Sequence, residues 1–213
     1  MITDLLINAT LETLYMSLLS TFLAFIFGMA LAILLVLTRS GGLAPMPQFY
    51  RVLGAIVNAF RSFPFIILMI VLFPLTKLIV GTSIGTTAAI VPLTIGSAPF
   101  IARLLEAAML EVDKSVIEAA RSFGASRTQI VFRVLIPEAL PAIINALTLT
   151  LIVIIGFSAM AGTVGGGGLG DVAVRYGYQR FRPDIMIYTV IILIVMVQLI
   201  QMLGDFAYKR IKK

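Results

Sequence analysis

From Thr13 to Leu37 the chain carries no charged residue, and no other feature narrows its possible folds as much. A helix rises about 1.5 Å per residue, so roughly 20 apolar residues cross a hydrocarbon layer about 30 Å thick. A run of this kind belongs in a membrane. Composition agrees: of 213 residues, 60% are hydrophobic and 12% charged, with a mean hydropathy of +1.09. A soluble domain is nearer half apolar and a quarter charged, and a disordered chain is poorer still in apolar residues, so both classes are excluded. The sequence has no cysteine and no histidine. Disulfides, thiol nucleophiles, imidazole bases and the usual zinc ligands are therefore absent from its chemistry.

Five spans follow, at about 13–37, 55–78, 86–110, 139–158 and 185–204, making an all-α integral membrane protein with one domain over 1–213. The last is bounded by Asp184 and Asp205. Gly81-Thr82-Ser83-Ile84-Gly85 reads as a turn, which starts the third span near Thr86. The second span is the difficult one. Between Arg61 and Lys77 the uncharged run is too short to cross, and extending it back toward 55 places Arg61 within or at the edge of the bilayer. Long basic side chains snorkel toward headgroups, which favours the edge.

Basic residues set the orientation. With the C-terminus in the cytoplasm, Arg39, Arg51, Lys114, Arg121, Arg127, Arg133, Lys209, Arg210, Lys212 and Lys213 lie inside. Only Lys77, Arg175, Arg180 and Arg182 lie outside. The N-terminus, with Asp4 and Glu12, is then external. No basic residue precedes the first span, so this end reads as a retained helix instead of a cleaved signal peptide.

The cytoplasmic loop 111–138 has its own pattern. Ser115-Val116-Ile117-Glu118 fits a capping box, Gly124 fits a left-handed helix stop, and Ser126-Arg127-Thr128-Gln129 fits a second capping box, opening a helix expected to end before Pro137. The expectation is a helix, a glycine corner and a helix, forming a rigid knuckle. As a bare pattern this also suits a basic surface loop resting on anionic lipid.

The exact residues go further. Glu118-Ala119-Ala120, then Gly124, Val134, Ile136 and Pro137 resemble the EAA loop of ABC importer permeases, with Val134 and Ile136 in place of the usual Ile and Leu. Asn58-Ala59-Phe60-Arg61-Ser62-Phe63-Pro64-Phe65, Ala98-Pro99-Phe100-Ile101-Ala102-Arg103, Pro137-Glu138-Ala139-Leu140-Pro141 and Ser158-Ala159-Met160 are similar to the permeases of bacterial D- and L-methionine importers. That resemblance implies five spans per subunit in a bacterial inner membrane and a homodimer. It also implies two ATPase subunits and a periplasmic or lipid-anchored substrate-binding protein. Glu118, Ala119, Ala120 and Gly124 would form the coupling contact with the ATPase, which alone would use ATP. This chain would bind no cofactor, metal or nucleic acid, and would catalyse nothing.

The remaining motifs have competing readings. Gly165 to Gly170 formally contains G-x-G-x-x-G, but it follows a membrane helix and lacks both a βαβ unit and a P-loop lysine. It reads better as an external turn within the loop 159–184, serving close packing or hinge motion. Tyr176, Tyr178 and Phe181 beside Arg175, Arg180 and Arg182 suit an interfacial belt facing lipid, or a docking surface. Arg103 and Glu106, three apart on one helix face, suit mutual neutralisation near the cytoplasmic boundary, or a gate together with Arg61. Ser158 and Met160 are candidate gate or cavity residues. An ion-coupled secondary transporter is the alternative function. It is disfavoured because every carboxylate falls near a span end or in a loop. An intramembrane enzyme is remote for want of paired deep carboxylates.

Overall fold

The computed structural model describes residues 2–212. Its elements are α1 (Ile2–Thr38), α2 (Pro47–Ser62), α3 (Phe65–Val71), α4 (Phe73–Val80), α5 (Thr86–Leu110), α6 (Lys114–Ser122), α7 (Arg127–Ile130), α8 (Ile136–Glu138), α9 (Leu140–Thr163), α10 (Gly168–Val172) and α11 (Pro183–Ile211). Val131–Leu135 and Ala173–Tyr178 are π-helical. Helices α1, α5, α9 and α11 are long and apolar enough to cross a membrane, and the bent pair α2 and α3 supplies a fifth if it counts as one span.

Helix α5 forms the centre of the bundle, with 67% of its most apolar stretch buried. Its main partner is α1, which presents Ala9, Thr13, Met16, Ser20, Ala24, Gly28, Ala32 and Leu35 along one buried face. Small residues at four-residue intervals let helix backbones approach, which drives association in lipid where no hydrophobic force separates helix from solvent. The contact is tight at Gly28, where a Cβ would sit 2.3 Å from Ile101 Cγ2. Two hydroxyls on this face return to their own helix, Thr13 Oγ1 donating to the Ala9 carbonyl at 2.9 Å and Thr21 Oγ1 to that of Ser17 at 2.7 Å, while Ser20 Oγ reaches the Ile90 carbonyl of α5 at 3.5 Å. That disposes of polar groups that lipid cannot satisfy.

The expected second span is not a single straight helix. Pro64 has no N–H to continue the ladder and drives Phe63 into an extended conformation (φ −73°, ψ 128°), so α2 and α3 meet at 102°. A further break at Leu72 precedes Pro74 in the first turn of α4, which stops at Gly81 with φ +86°. The span at 86–110 coincides with α5, whereas α1, α9 and α11 all extend beyond the expected limits.

Residues 159–184 are also not a plain loop. Helix α9 continues to Thr163, and the glycine run folds back on it through α10. A Cβ at Gly162 would meet the Asp171 nitrogen at 2.3 Å, and one at Gly170 would meet the Ala159 carbonyl oxygen at the same distance. Close packing, not hinge freedom, explains these glycines. Glu12 Oε2 accepts the Gly168 N–H at 2.8 Å and Thr13 Oγ1 the Leu169 N–H at 2.9 Å, tying the segment to α1.

Candidate functional site

The knuckle forms as a helix, a glycine corner and a helix, with two corrections. Helix α6 starts at Lys114, and its cap is Asp113, whose Oδ1 accepts the Ser115 N–H at 2.8 Å. The Ser115–Glu118 capping box therefore does not form, and Glu118 has no capping duty. That N–H also holds the exposed Asp113 carboxyl below the usual carboxylate range. The second helix does not stop before Pro137 either. The ladder widens over Val131–Leu135, where the Ile136 N–H reaches the Val131 carbonyl, and this bulge carries the chain through Pro137 into α8.

The corner itself is as expected. Gly124 has φ +78°, its N–H donates to the Arg121 carbonyl at 2.9 Å, and the Ala125 N–H donates to that of Ala120 at 3.1 Å. This pair of bonds is a Schellman closure, whose left-handed position glycine alone occupies without strain. The Ser126 box also forms: the Gln129 N–H donates to Ser126 Oγ at 3.3 Å, and the Ser126 N–H to Gln129 Oε1 at 2.8 Å.

The two limbs differ in burial. Ile130, Val131 and Leu135 insert among Val36, Ile101, Leu105, Met109 and Ile143, fixing the second limb in the bundle. No residue of α6 is buried. Glu118, Ala119 and Gly124 face outward, while Ala120 packs inward beside Ile117. Phe123, 90% exposed, is the large apolar group at the tip. A stiff, outward helix on a buried root can transmit a push from a partner to α1, α5 and α9.

Above the knuckle, Arg103 and Glu106 form the expected pair at 2.7 Å, but the structure adds partners from another element. Tyr50 donates its hydroxyl proton to Glu106 Oε1 at 3.0 Å. Arg103 donates through Nε to Asn58 Oδ1 at 3.2 Å and through Nη2 to the Gly54 carbonyl at 2.9 Å. Glu106 is 4% exposed. The pair is thus a knot that fastens α2 to α5. Tyr50 and Asn58 carry no charge and stand more than 40 positions away, so no local spacing indicates their part in it.

Arg61 takes a different place. It lines an open cleft of about 510 Å³ together with Asn58, Phe63, Phe100 and Phe157. Gly96, also on the wall, lies ten residues on from Thr86 and fourteen before Leu110, about 15 Å and 21 Å from the ends of α5. The cleft is therefore level with the middle of the bundle. Phe65 and Phe157 stack there with centroids 4.4 Å apart. Ser158 and Met160 are not part of its wall: Ser158 is buried with Oγ donating to the Ile155 carbonyl, and Met160 is 47% exposed elsewhere on α9.

At the far end of the bundle, Arg175 pairs with Asp171 and Arg182 with Asp184 at 2.7 Å, while the Arg180 guanidinium lies 4.5 Å from the Tyr176 ring centroid. Tyr178 and Phe181 are 71% and 85% exposed. Among the described residues no group of three or more carboxylates is placed to hold a metal ion.

Known proteins share this arrangement along almost its whole length. A probable D-methionine transport system permease protein of Vibrio cholerae is 54% identical over 208 residues, 98% of this chain and 92% of its own. A methionine import system permease protein of Bacillus subtilis is 49% identical over 206 residues, 97% of this chain and 93% of its own. The inward-facing MetNI methionine ABC transporter contains a chain that superimposes with a TM-score of 0.97 at 48% identity, covering 98% of this chain and 97% of that one. Residues 40–213 match the binding-protein-dependent transport system inner membrane components. The chain therefore belongs to the family of binding-protein-dependent transport system inner membrane components.

Proposed function

We propose that the chain is the membrane-spanning subunit of an ATP-driven methionine importer, assembled as a permease dimer with ABC ATPase subunits. The observation that carries this is the near-identical fold, at 48% identity, of the permease in a methionine ABC transporter. It is a multi-pass inner-membrane subunit without catalytic activity of its own.

Within that reading, α6 is the coupling element. Glu118, Ala119, Gly124 and Phe123 meet the ATPase, and Ala120 lets α6 lie close on its root. The buried second limb passes the displacement to α1 and α5, and the knot at Arg103 and Glu106 carries it into α2. Two ATPase subunits bind ATP; this chain holds no cofactor. The excess of basic residues on the knuckle side supports an external N-terminus and a cytoplasmic C-terminus. The opposite face, with Tyr178 and Phe181, meets a substrate-binding protein or the lipid interface. Ser158 is buried and bonded within α9, whereas Met160, half exposed near the end of that helix, remains the candidate gate residue of the pair.

Uptake assays in membrane vesicles test the substrate. ATP-dependent entry of labelled methionine should be suppressed by unlabelled methionine of either hand, and not by lysine or glutamate. Uptake indifferent to methionine and suppressed by another amino acid would replace the substrate.

A further inference from the structure

We propose that the cleft between α2, α3, α5 and α9 is a transit site for a zwitterionic amino acid with an apolar thioether side chain, whose α-carboxylate is held by Arg61. The proposal rests on the importer reading and adds where the substrate touches this chain. Arg61 makes no ion pair and no side-chain hydrogen bond among the described residues. A cation at mid-bundle depth is costly unless it faces a partner or an aqueous path. No carboxylate lines this cleft. Arg61 is itself exposed on the wall of this open cleft, so an anion entering from outside the subunit can reach it, and a passing carboxylate pairs with it in a bidentate geometry.

The rest of the wall suits the rest of such a ligand. Phe63, Phe65, Phe100 and Phe157 present ring faces and edges, the surfaces that thioether sulfur favours. Gly96 keeps the wall open, since a Cβ there would lie 3.1 Å from Leu68 Cδ2 and 3.4 Å from a Phe65 ring carbon. Asn58 Oδ1 already accepts from Arg103, which leaves its amide N–H groups for the carboxylate beside Arg61. For the ammonium group, the 102° bend at Pro64 ends the ladder of α2; the Ala59 and Phe60 carbonyls accept from Ser62 Oγ and the Phe63 N–H, which leaves the negative end of the helix at Arg61 and Ser62. A volume of about 510 Å³ falls in the range of small-molecule sites. Among the residues lining the cleft no acidic side chain is present to pair with a second ammonium on the ligand.

The chain has no cysteine, so a reporter thiol placed in it is the one thiol on the permease band, which is read separately from the ATPase after electrophoresis. Ser62→Cys is placed in the full permease–ATPase complex in membranes, and its alkylation by a small maleimide is timed with and without millimolar methionine. Methionine should slow labelling, while methioninol, which lacks the carboxylate, and lysine should not. Adding Arg61→Gln should weaken protection by about 10- to 100-fold in methionine concentration, the usual effect of losing a charge-assisted hydrogen bond, and Arg61→Lys should restore part of it. Val153→Cys, on the opposite wall, serves where Ser62→Cys does not assemble. Equal protection by methioninol, or full protection in Arg61→Gln, overturns the role of Arg61. ATP-driven uptake by the unaltered complex is measured in parallel. Uptake without protection at either thiol overturns the site alone, whereas absence of methionine uptake overturns the importer reading.

Discussion

Replacing Glu106 with alanine should be the most damaging single change outside the close-packed helix contacts. Its carboxylate accepts from Arg103 Nη1 at 2.7 Å and from the Tyr50 hydroxyl at 3.0 Å, with side-chain exposures of 5% for Glu106 and 18% for Arg103. Removing one member of a buried pair costs about 3–5 kcal/mol, because the partner stays behind unneutralised. Arg103 keeps its bonds to Asn58 and to the Gly54 carbonyl and retains some solvent contact, which places the loss at the low end, about 3 kcal/mol. For a chain of this size each kcal/mol moves the thermal midpoint by about 2–4 °C, so Glu106→Ala should lower it by about 6–12 °C. The assay is the loss of the monodisperse chromatographic peak of the detergent-purified complex after heating. The double variant Arg103→Met/Glu106→Leu removes both charges while keeping bulk, and should recover at least half of that loss. A shift below about 2 °C in Glu106→Ala, or a double variant worse than the single, would refute the knot between α2 and α5.

Three further outcomes follow from other parts of the molecule. Gly124→Val forces a branched side chain to φ +78°, at a cost of about 1–2 kcal/mol in the corner, and should leave membrane insertion intact while methionine uptake falls relative to ATP hydrolysis; an unchanged ratio of uptake to hydrolysis in proteoliposomes goes against coupling through α6. Gly28→Val overpacks the α1–α5 contact, where a Cβ already meets Ile101 at 2.3 Å, and should destabilise the bundle by about 1–3 kcal/mol, read as a lower thermal midpoint. Asp113 has a folded pKa below its unfolded value, so its cap is fully effective above the unfolded value and is lost as pH falls through the folded one. Asparagine caps without titrating, so pepsin cleavage beside Phe123 should accelerate in the wild type relative to Asp113→Asn as pH drops toward 3; a constant ratio would remove the cap from the account.

What could be read from the sequence tracks how local the cause is. The charge-free runs placed α1, α5, α9 and α11 because hydropathy acts residue by residue, and Gly124 was legible because a helix stop depends on one backbone conformation. The bend after Ser62 was not: Pro64 announces a break, but the direction of α3 depends on its packing against α5 and α9. The start of α6 was misplaced because serine and glutamate three apart imitate a capping box, whereas Asp113, two residues earlier, supplies the acceptor that is used. Arg103 and Glu106 were paired correctly from their spacing on one helix, while Tyr50 and Asn58 reach them only through tertiary structure. Arg61 reads from the sequence as lying within or at the edge of the bilayer, and only the fold shows that it shares a cleft with Gly96, Phe100 and Phe157. The stripe of small residues on α1 was present in the sequence all along, at four-residue intervals.

The central claim is that transport through this chain is driven from α6 by an ATPase. Proteoliposomes containing the purified chain alone, and others containing it with its ATPase and binding protein, should be compared for uptake of labelled methionine. The account predicts uptake only in the complete assembly and only with ATP on the α6 side, unaffected by imposed proton or sodium gradients. Gradient-driven uptake by the chain alone would contradict it.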